Sequence, residues 1–219
     1  MQLKSFILVF LLLISGNLIQ SKANVKTITI ANKHVKFIDQ LTEKLIKTQD
    51  CLLSLYGRLE GARQQLRYTH IGDGYICTNF IDEKYYNDLV SETKNLNTKY
   101  AMSLIEHAEK LNNIYLNINN LSRELEIYIR LGDYKKDQAK KADEIFGKLV
   151  ISFDEFVIER DLYFQHTKEV VSQSETGGSS KNILLILICL TLYCKRNCLI
   201  SKFKINFVVK HSLLVWIRN

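Results

Sequence analysis

The chain has 219 residues, no proline, 47% hydrophobic and 24% charged residues, and a formal net charge of +7. At a usual share of about 5%, roughly eleven prolines are expected; their absence argues against Pro-rich linkers, polyproline II segments and many-turned β-sandwiches, and favours long helices. Two bases lie before Asn24 and six after Lys181, so the remaining 22 face all 23 acids; the basic excess belongs to the two ends, which argues against nucleic-acid binding by the main domain.

The N-terminus has the three parts of an export signal. Lys4 supplies a basic start, Phe6 to Ile14 is apolar, and Ser21-Lys22-Ala23 puts small residues at −3 and −1 of a cleavage site. The apolar core is too short to span a bilayer of about 30 Å. Residues 1–23 are therefore expected to be a signal peptide, and the mature chain to start at Asn24. No cysteine follows the apolar run, so a lipoprotein anchor is not expected at this site.

From Ile38 the apolar positions run Ile38, Leu41, Leu45, Thr48, Leu52, Leu55, Leu59, Ala62 and Leu66, with spacings that alternate three and four. A period of 3.5 marks a helix packed along a narrow seam. The first helix is expected over about 32–70, closing at Ile71-Gly72-Asp73-Gly74, where two glycines suit a turn. Gly57 and Gly61 lie off the seam and weaken the helix by about 1 kcal/mol each relative to Ala.

Cys51 lies inside that helix, and Cys77 beyond it. About nineteen helical residues to His70 carry the chain about 29 Å, while seven residues return at most about 25 Å. Two separate thiols are expected, unless the helix breaks early at Gly57 or Gly61.

A second pattern runs Tyr86, Leu89, Thr93, Leu96, Tyr100, Leu104, His107, Leu111, Ile114, Ile118, Leu121, Leu125 and Tyr128. Two spacings of four meet at Tyr100, which reads as a stutter within one continuous helix over about 81–131. Gly132 stops it, and Asp133 is placed to cap a third helix over about 133–171. The third seam is Ala142, Phe146, Leu149, Phe153, Phe156, Arg160, Tyr163, Thr167 and Val170. Short connections make neighbours antiparallel. The expected fold is all-α: an elongated, coiled-coil-like antiparallel bundle of three helices over 24–171. Arg160 and Thr167 read as polar layers that fix register.

Candidate chemistry is sparse. His107 sits on the seam beside Glu106 and Glu109 and could serve as a general base or metal ligand, but neighbours one and two residues away point elsewhere. A core or boundary histidine is the preferred reading. His70 and Asp73 flank the glycine turn without a second partner, and Asp133 to Asp143 reads as a solvated first turn and helix face. The sequence holds no His-Glu-x-x-His, Gly-x-Ser-x-Gly, phosphate-binding or dinucleotide-binding motif. No catalytic residue, cofactor or metal ligand is assigned, and a non-enzymatic role is expected. Asn120-Leu121-Ser122 is a glycosylation sequon that falls mid-helix.

One stretch carries a likeness. Gly132-Asp133-Tyr134-Lys135-Lys136-Asp137 leads through Lys140-Lys141-Ala142 to Leu149, then to Phe153-Asp154-Glu155-Phe156. It resembles the YiiG-like family of exported bacterial helical proteins of unknown function, in which an Asp-Tyr-Lys-x-Asp stretch opens a helix that later carries Phe-Asp-x-Phe. The resemblance is best from Tyr128 to Thr167. The chain departs from the family in lacking the lipobox cysteine that many members carry, and in changing character after the third helix. The resemblance implies an exported helical class and brings no catalytic residues.

Residues 172–181 (SQSETGGSSK) read as a flexible linker. Residues 182–219 then hold no acid, six bases, three of the five cysteines and the single tryptophan. Ile183 to Tyr193 gives about 17 Å of helix, short of a membrane span. The tail admits three readings. It could lie in a membrane interface, through Ile183, Leu187, Lys195, Arg196 and Trp216; it could be the product of a frame error in an AT-rich gene; or, less favoured, it could pack on the bundle. The gaps between Cys189, Cys194 and Cys198 match no standard zinc spacing.

Taken together, these features lead us to expect an exported protein, periplasmic or extracellular, that works by binding another protein or a second copy. Peripheral membrane attachment through the tail is the alternative.

Overall fold

The computed structural model describes the backbone of residues 2–64, 77–96 and 98–174, and the side chains of 25–63, 77–96 and 100–173. All regular structure among them is helical: α1 (Gln2–Gln64), α2 (Glu83–Thr93), α3 (Thr98–Arg130), a 3-10 turn (Asp133–Lys135) and α4 (Lys140–Ser174). The helices pack as a bundle, with α1, α3 and α4 in mutual contact and α2 against α1 and α3. Among the described residues, no helix is long and apolar enough to cross a membrane.

The seams explain the packing. Every described member of the first seam, Ile38 through Ala62, is buried, and so is every member of the third, Ala142 through Val170. Burying side chains of Leu or Phe size stabilises by about 1.5–3 kcal/mol each. Arg160 and Thr167 are fully enclosed polar members of the third seam. On α3 the buried residues are Ala101, Leu104, Ala108, Leu111, Tyr115, Ile118, Asn119, Ser122, Leu125, Tyr128 and Ile129. They share only part of the expected seam, because α3 faces both α1 and α4 and needs a wider buried face.

Cross-contacts fix the directions. Arg63 near the end of α1 meets Asp143 at the start of α4, while His34 meets Tyr163. On α3 and α4, Asn117 pairs with Ser152 and Tyr100 with Gln173. Both α1 and α3 therefore run antiparallel to α4. The return from α1 to α3 is the departure from expectation. Residues 77–82 run without helix beside the middle of α1, and α2 continues back along it, with Glu92 paired to Lys33 and Tyr85 stacked on Phe37. Among the described residues the chain thus makes four passes, the second of them the non-helical 77–82 followed by α2, where three helices were expected.

Two further expectations are corrected. The second helix is not continuous through a stutter: it breaks after Thr93, where the amides of Asn95 and Leu96 bond three residues back to Glu92 and Thr93. Lys94-Asn95-Leu96-Asn97 places two poor helix formers at the phase slip, and a break absorbs the slip more cheaply than local unwinding. Nor does Asp133 cap the last helix. It opens the 3-10 turn and pairs with Lys136 at 2.7 Å, while Asp137 accepts from the amides of Ala139 and Lys141 at 3.0 and 3.1 Å. Tyr134, placed by sequence on a solvated face, is buried.

The two cysteines expected to stay apart form a disulfide, Cys51–Cys77, with Cα atoms 5.4 Å apart. Separate thiols were expected for a helix reaching His70. To Gln64, the last described residue of α1, the rise from Cys51 is only about 20 Å, which leaves up to thirteen residues for the return to Cys77.

Candidate functional site

The functional geometry has two parts: a strap crossing the bundle at mid-height, and a column of imidazole and phenol rings at the α2 end.

The strap is residues 77–82. Its backbone has no helical partners, and buried amides must find them elsewhere. Glu126 of α3 accepts from the amides of Cys77 and Thr78, and Asn119 Oδ1 accepts from the Asn79 amide at 3.0 Å. The Tyr115 hydroxyl donates to the Asn79 carbonyl, and the Asn79 side-chain amide donates to Thr48 Oγ1 of α1 at 3.1 Å. With the disulfide at Cys77, the strap is fixed to both α1 and α3. Phe80 remains exposed.

The column draws on all four helices. His34 of α1 is fully buried between Thr93 of α2 and Tyr163 of α4. The single proton of the Thr93 hydroxyl goes to the Leu89 carbonyl at 2.6 Å. Thr93 Oγ1 must therefore accept from His34 Nε2, at 2.8 Å. A neutral His34 then accepts at Nδ1 from the Tyr163 hydroxyl, and every polar atom of the trio is satisfied. Burial drives His34 down to about 3, so it is uncharged at neutral pH. The same burial pushes the Tyr163 phenol well up.

His107 of α3 stacks on the Tyr163 ring at 5.8 Å between centroids, and the ring of His166 of α4 lies 5.4 Å from it, tilted by 40°. His107 Nδ1 is 2.6 Å from Glu159 Oε1, and Lys110 reaches Glu159 Oε2 at 3.3 Å. The expectation that neither Glu106 nor Glu109 would engage His107 was made for its own helix; the carboxylate comes instead from α4. His166 Nδ1 lies 3.6 Å from Glu169, while its Nε2 is buried without a hydrogen-bond partner. Burial, and secondarily the proximity of His107, lowers His166 below the usual histidine range. Among the described residues, no group of three or more His, Cys, Asp or Glu side chains is arranged to hold a metal ion.

A surface cavity of about 300 Å³ lies at the α3–α4 turn, lined by Tyr128, Leu131, Asp133, Lys136, Asp137 and Lys141 among others. Its charges are paired: Lys136 with Asp133, and Lys141 with Glu124 at 3.1 Å. Tyr128 donates to Asp137, whose carboxyl is raised by desolvation but lowered more by that bond and by the amides of Lys141, Ala139 and Asp137 itself, for a net downward shift.

Of the residues singled out from sequence, His107 is the one that joins a cluster. His34, Glu159, His166 and the strap's Asn79 and Glu126 were missed. His70, Asp73, Ile183, Leu187, Lys195, Arg196 and Trp216 lie outside the described residues. Asn120 of the sequon is exposed, but Ser122 is buried and bonded to the Ile118 carbonyl.

No family model, no curated protein and no solved structure matches the chain.

Proposed function

We propose that the chain is an exported, non-enzymatic helical-bundle protein of the cell envelope, acting as a protein-interaction or structural module. The observation that supports export is the Cys51–Cys77 disulfide, which staples a strap that has no helix of its own. Such bonds persist in oxidising compartments and are rare in reducing ones. The signal-like residues 1–23 and the resemblance to the YiiG-like family belong with the same reading. The partner is another protein or a second copy, engaged through apolar surface left outside the core. Ile151, Ile158 and Leu162 supply such a row on the outer face of α4, with relative exposures of 61%, 61% and 48%.

The test is fractionation of the native cells followed by intact mass under non-reducing conditions. Export predicts an extracytoplasmic protein starting at Asn24 whose Cys51 and Cys77 resist alkylation until reduced. A cytoplasmic protein starting at Met1 with both thiols reactive would overturn the proposal.

A further inference from the structure

We propose that His107 and His166 form a two-imidazole site for a borderline divalent transition-metal ion such as Zn²⁺ or Cu²⁺, with Glu159 as the supporting carboxylate and water completing the coordination. This goes beyond the interaction role and does not depend on it. Three features of the pair carry the inference.

The first is spacing. Imidazole nitrogens bind zinc at about 2.0–2.1 Å in tetrahedral geometry, which puts the centres of two rings on one ion about 5 Å apart. The rings of His107 and His166 have centroids 5.4 Å apart, with planes tilted by 40° rather than stacked in parallel. The second is proton placement. A metal-binding histidine commonly donates its other ring N–H to a carboxylate, which fixes the tautomer and raises ligand basicity. His107 makes that contact, Nδ1 to Glu159 Oε1 at 2.6 Å, leaving the Nε2 lone pair for an ion. Glu169 lies near the Nδ1 of His166, at 3.6 Å, beyond hydrogen-bond distance.

The third is the Nε2 of His166, a buried polar atom with no hydrogen-bond partner. Leaving such an atom unpaired is unfavourable, and an ion would supply the missing partner. Both residues keep about a quarter of their side-chain surface exposed, which places the pair at the edge of the core. The Tyr163 ring stacks on His107, and Lys110 reaches the second oxygen of Glu159 at 3.3 Å. That contact leaves Glu159 as a supporting group rather than a ligand, in keeping with a site of only two protein ligands. Affinity should follow the usual order, Cu²⁺ above Zn²⁺.

The experiment is calorimetric titration of the full chain with Zn²⁺, its free thiols alkylated and His70 and His211 replaced by alanine to silence competing groups. One equivalent should bind. His107→Ala and His166→Ala, checked for native helicity, should each weaken binding tenfold or more, and Glu159→Gln by 10- to 100-fold. In the parent chain the ¹⁵N resonances of His107 Nε2 and His166 Nε2 should move on Zn²⁺ addition, which decides the matter even where a variant fails to fold. No binding, binding by both histidine variants as tight as the parent's, or unmoved Nε2 resonances would overturn the site and leave the pair as ring packing alone.

Discussion

Arg63, at the end of α1, donates from its guanidinium to the Ala139 carbonyl at 2.8 Å, and so ties the first helix to the turn that starts the last one. The same side chain reaches the Gln138 carbonyl at 3.3 Å and Asp143 at 2.9 Å, and pairs with Glu60. Gln138 and Ala139 have φ of 57° and 62°, a conformation that costs non-glycine residues about 1 kcal/mol or more. Burial alone would lower Arg63, but Asp143 and Glu60 raise it overall. The guanidinium thus compensates both the strained backbone and the acidic pair beside it.

Replacing Arg63 with methionine should destabilise the bundle by about 3 kcal/mol, since it strips the partner from two carboxylates and two carbonyls at a mostly buried site. Gln138→Gly should have the opposite sign, raising stability by up to about 1 kcal/mol through relief of the positive φ. Urea unfolding of the two variants checks both directions; a neutral Arg63 variant would show that the clamp adds nothing.

Reducing the Cys51–Cys77 bond releases a loop with a sequence separation of 26 residues. Chain-entropy reasoning assigns about 3.5 kcal/mol to a loop of that size. A Cys51→Ser, Cys77→Ser chain should lose roughly that much in denaturant unfolding. The amides of residues 77–79, held by Glu126 and Asn119, should lose hydrogen-exchange protection before the α3–α4 core does. Uniform loss of protection across the bundle would contradict the strap's separate attachment.

The periodic part of the fold was legible from composition and spacing. Alternating gaps of three and four identified the buried rows Ile38 to Ala62 and Ala142 to Val170, because burial on a narrow seam imposes that period. The strap was not legible, since it is held by side chains of α1 and α3 that no local pattern in 77–82 announces. The ring column lay partly within reach. Stepping back from Ile38 by four and then three gives His34 and Ala31, both fully buried. His107 and Tyr163 were already on their seams. What spacing within one helix does not supply is the register between helices, which sets His34, Tyr163 and His107 in one layer. His166 lies beside the third seam rather than on it, so periodicity gave it no weight.

Gly57 and Gly61 test the helix-propensity argument directly. A Cβ at either position meets nothing within 4 Å, and both residues are in α1 with no positive φ requiring glycine. Each Gly→Ala replacement should stabilise by about 0.5–1 kcal/mol by reducing unfolded-chain entropy. Thermal melts of the single and double variants should rise additively, because the side chains add no new contact. A destabilising double variant would mean that something covers this face of α1.

The pH dependence follows from His34. Its folded value, about 3, lies below the unfolded 6.5, so the unfolded chain takes up the proton more readily between those limits. The contribution is fully present above about pH 6.5 and is lost as pH falls towards 3. Between pH 7 and pH 4.5 the loss from this residue is about 2–3 kcal/mol. Protonation would also put a second N–H against the Tyr163 hydroxyl, which has already given its proton to Nδ1, so the trio cannot accept the charge without breaking a bond. His166, shifted the same way, adds in the same direction. His34→Gln removes the titration whatever its effect at pH 7, so the measurement is the difference in unfolding free energy between pH 7 and pH 4.5. That difference should shrink by about 2 kcal/mol or more relative to the parent. An unchanged difference would place the protonation of His34 in a state where the trio has already opened.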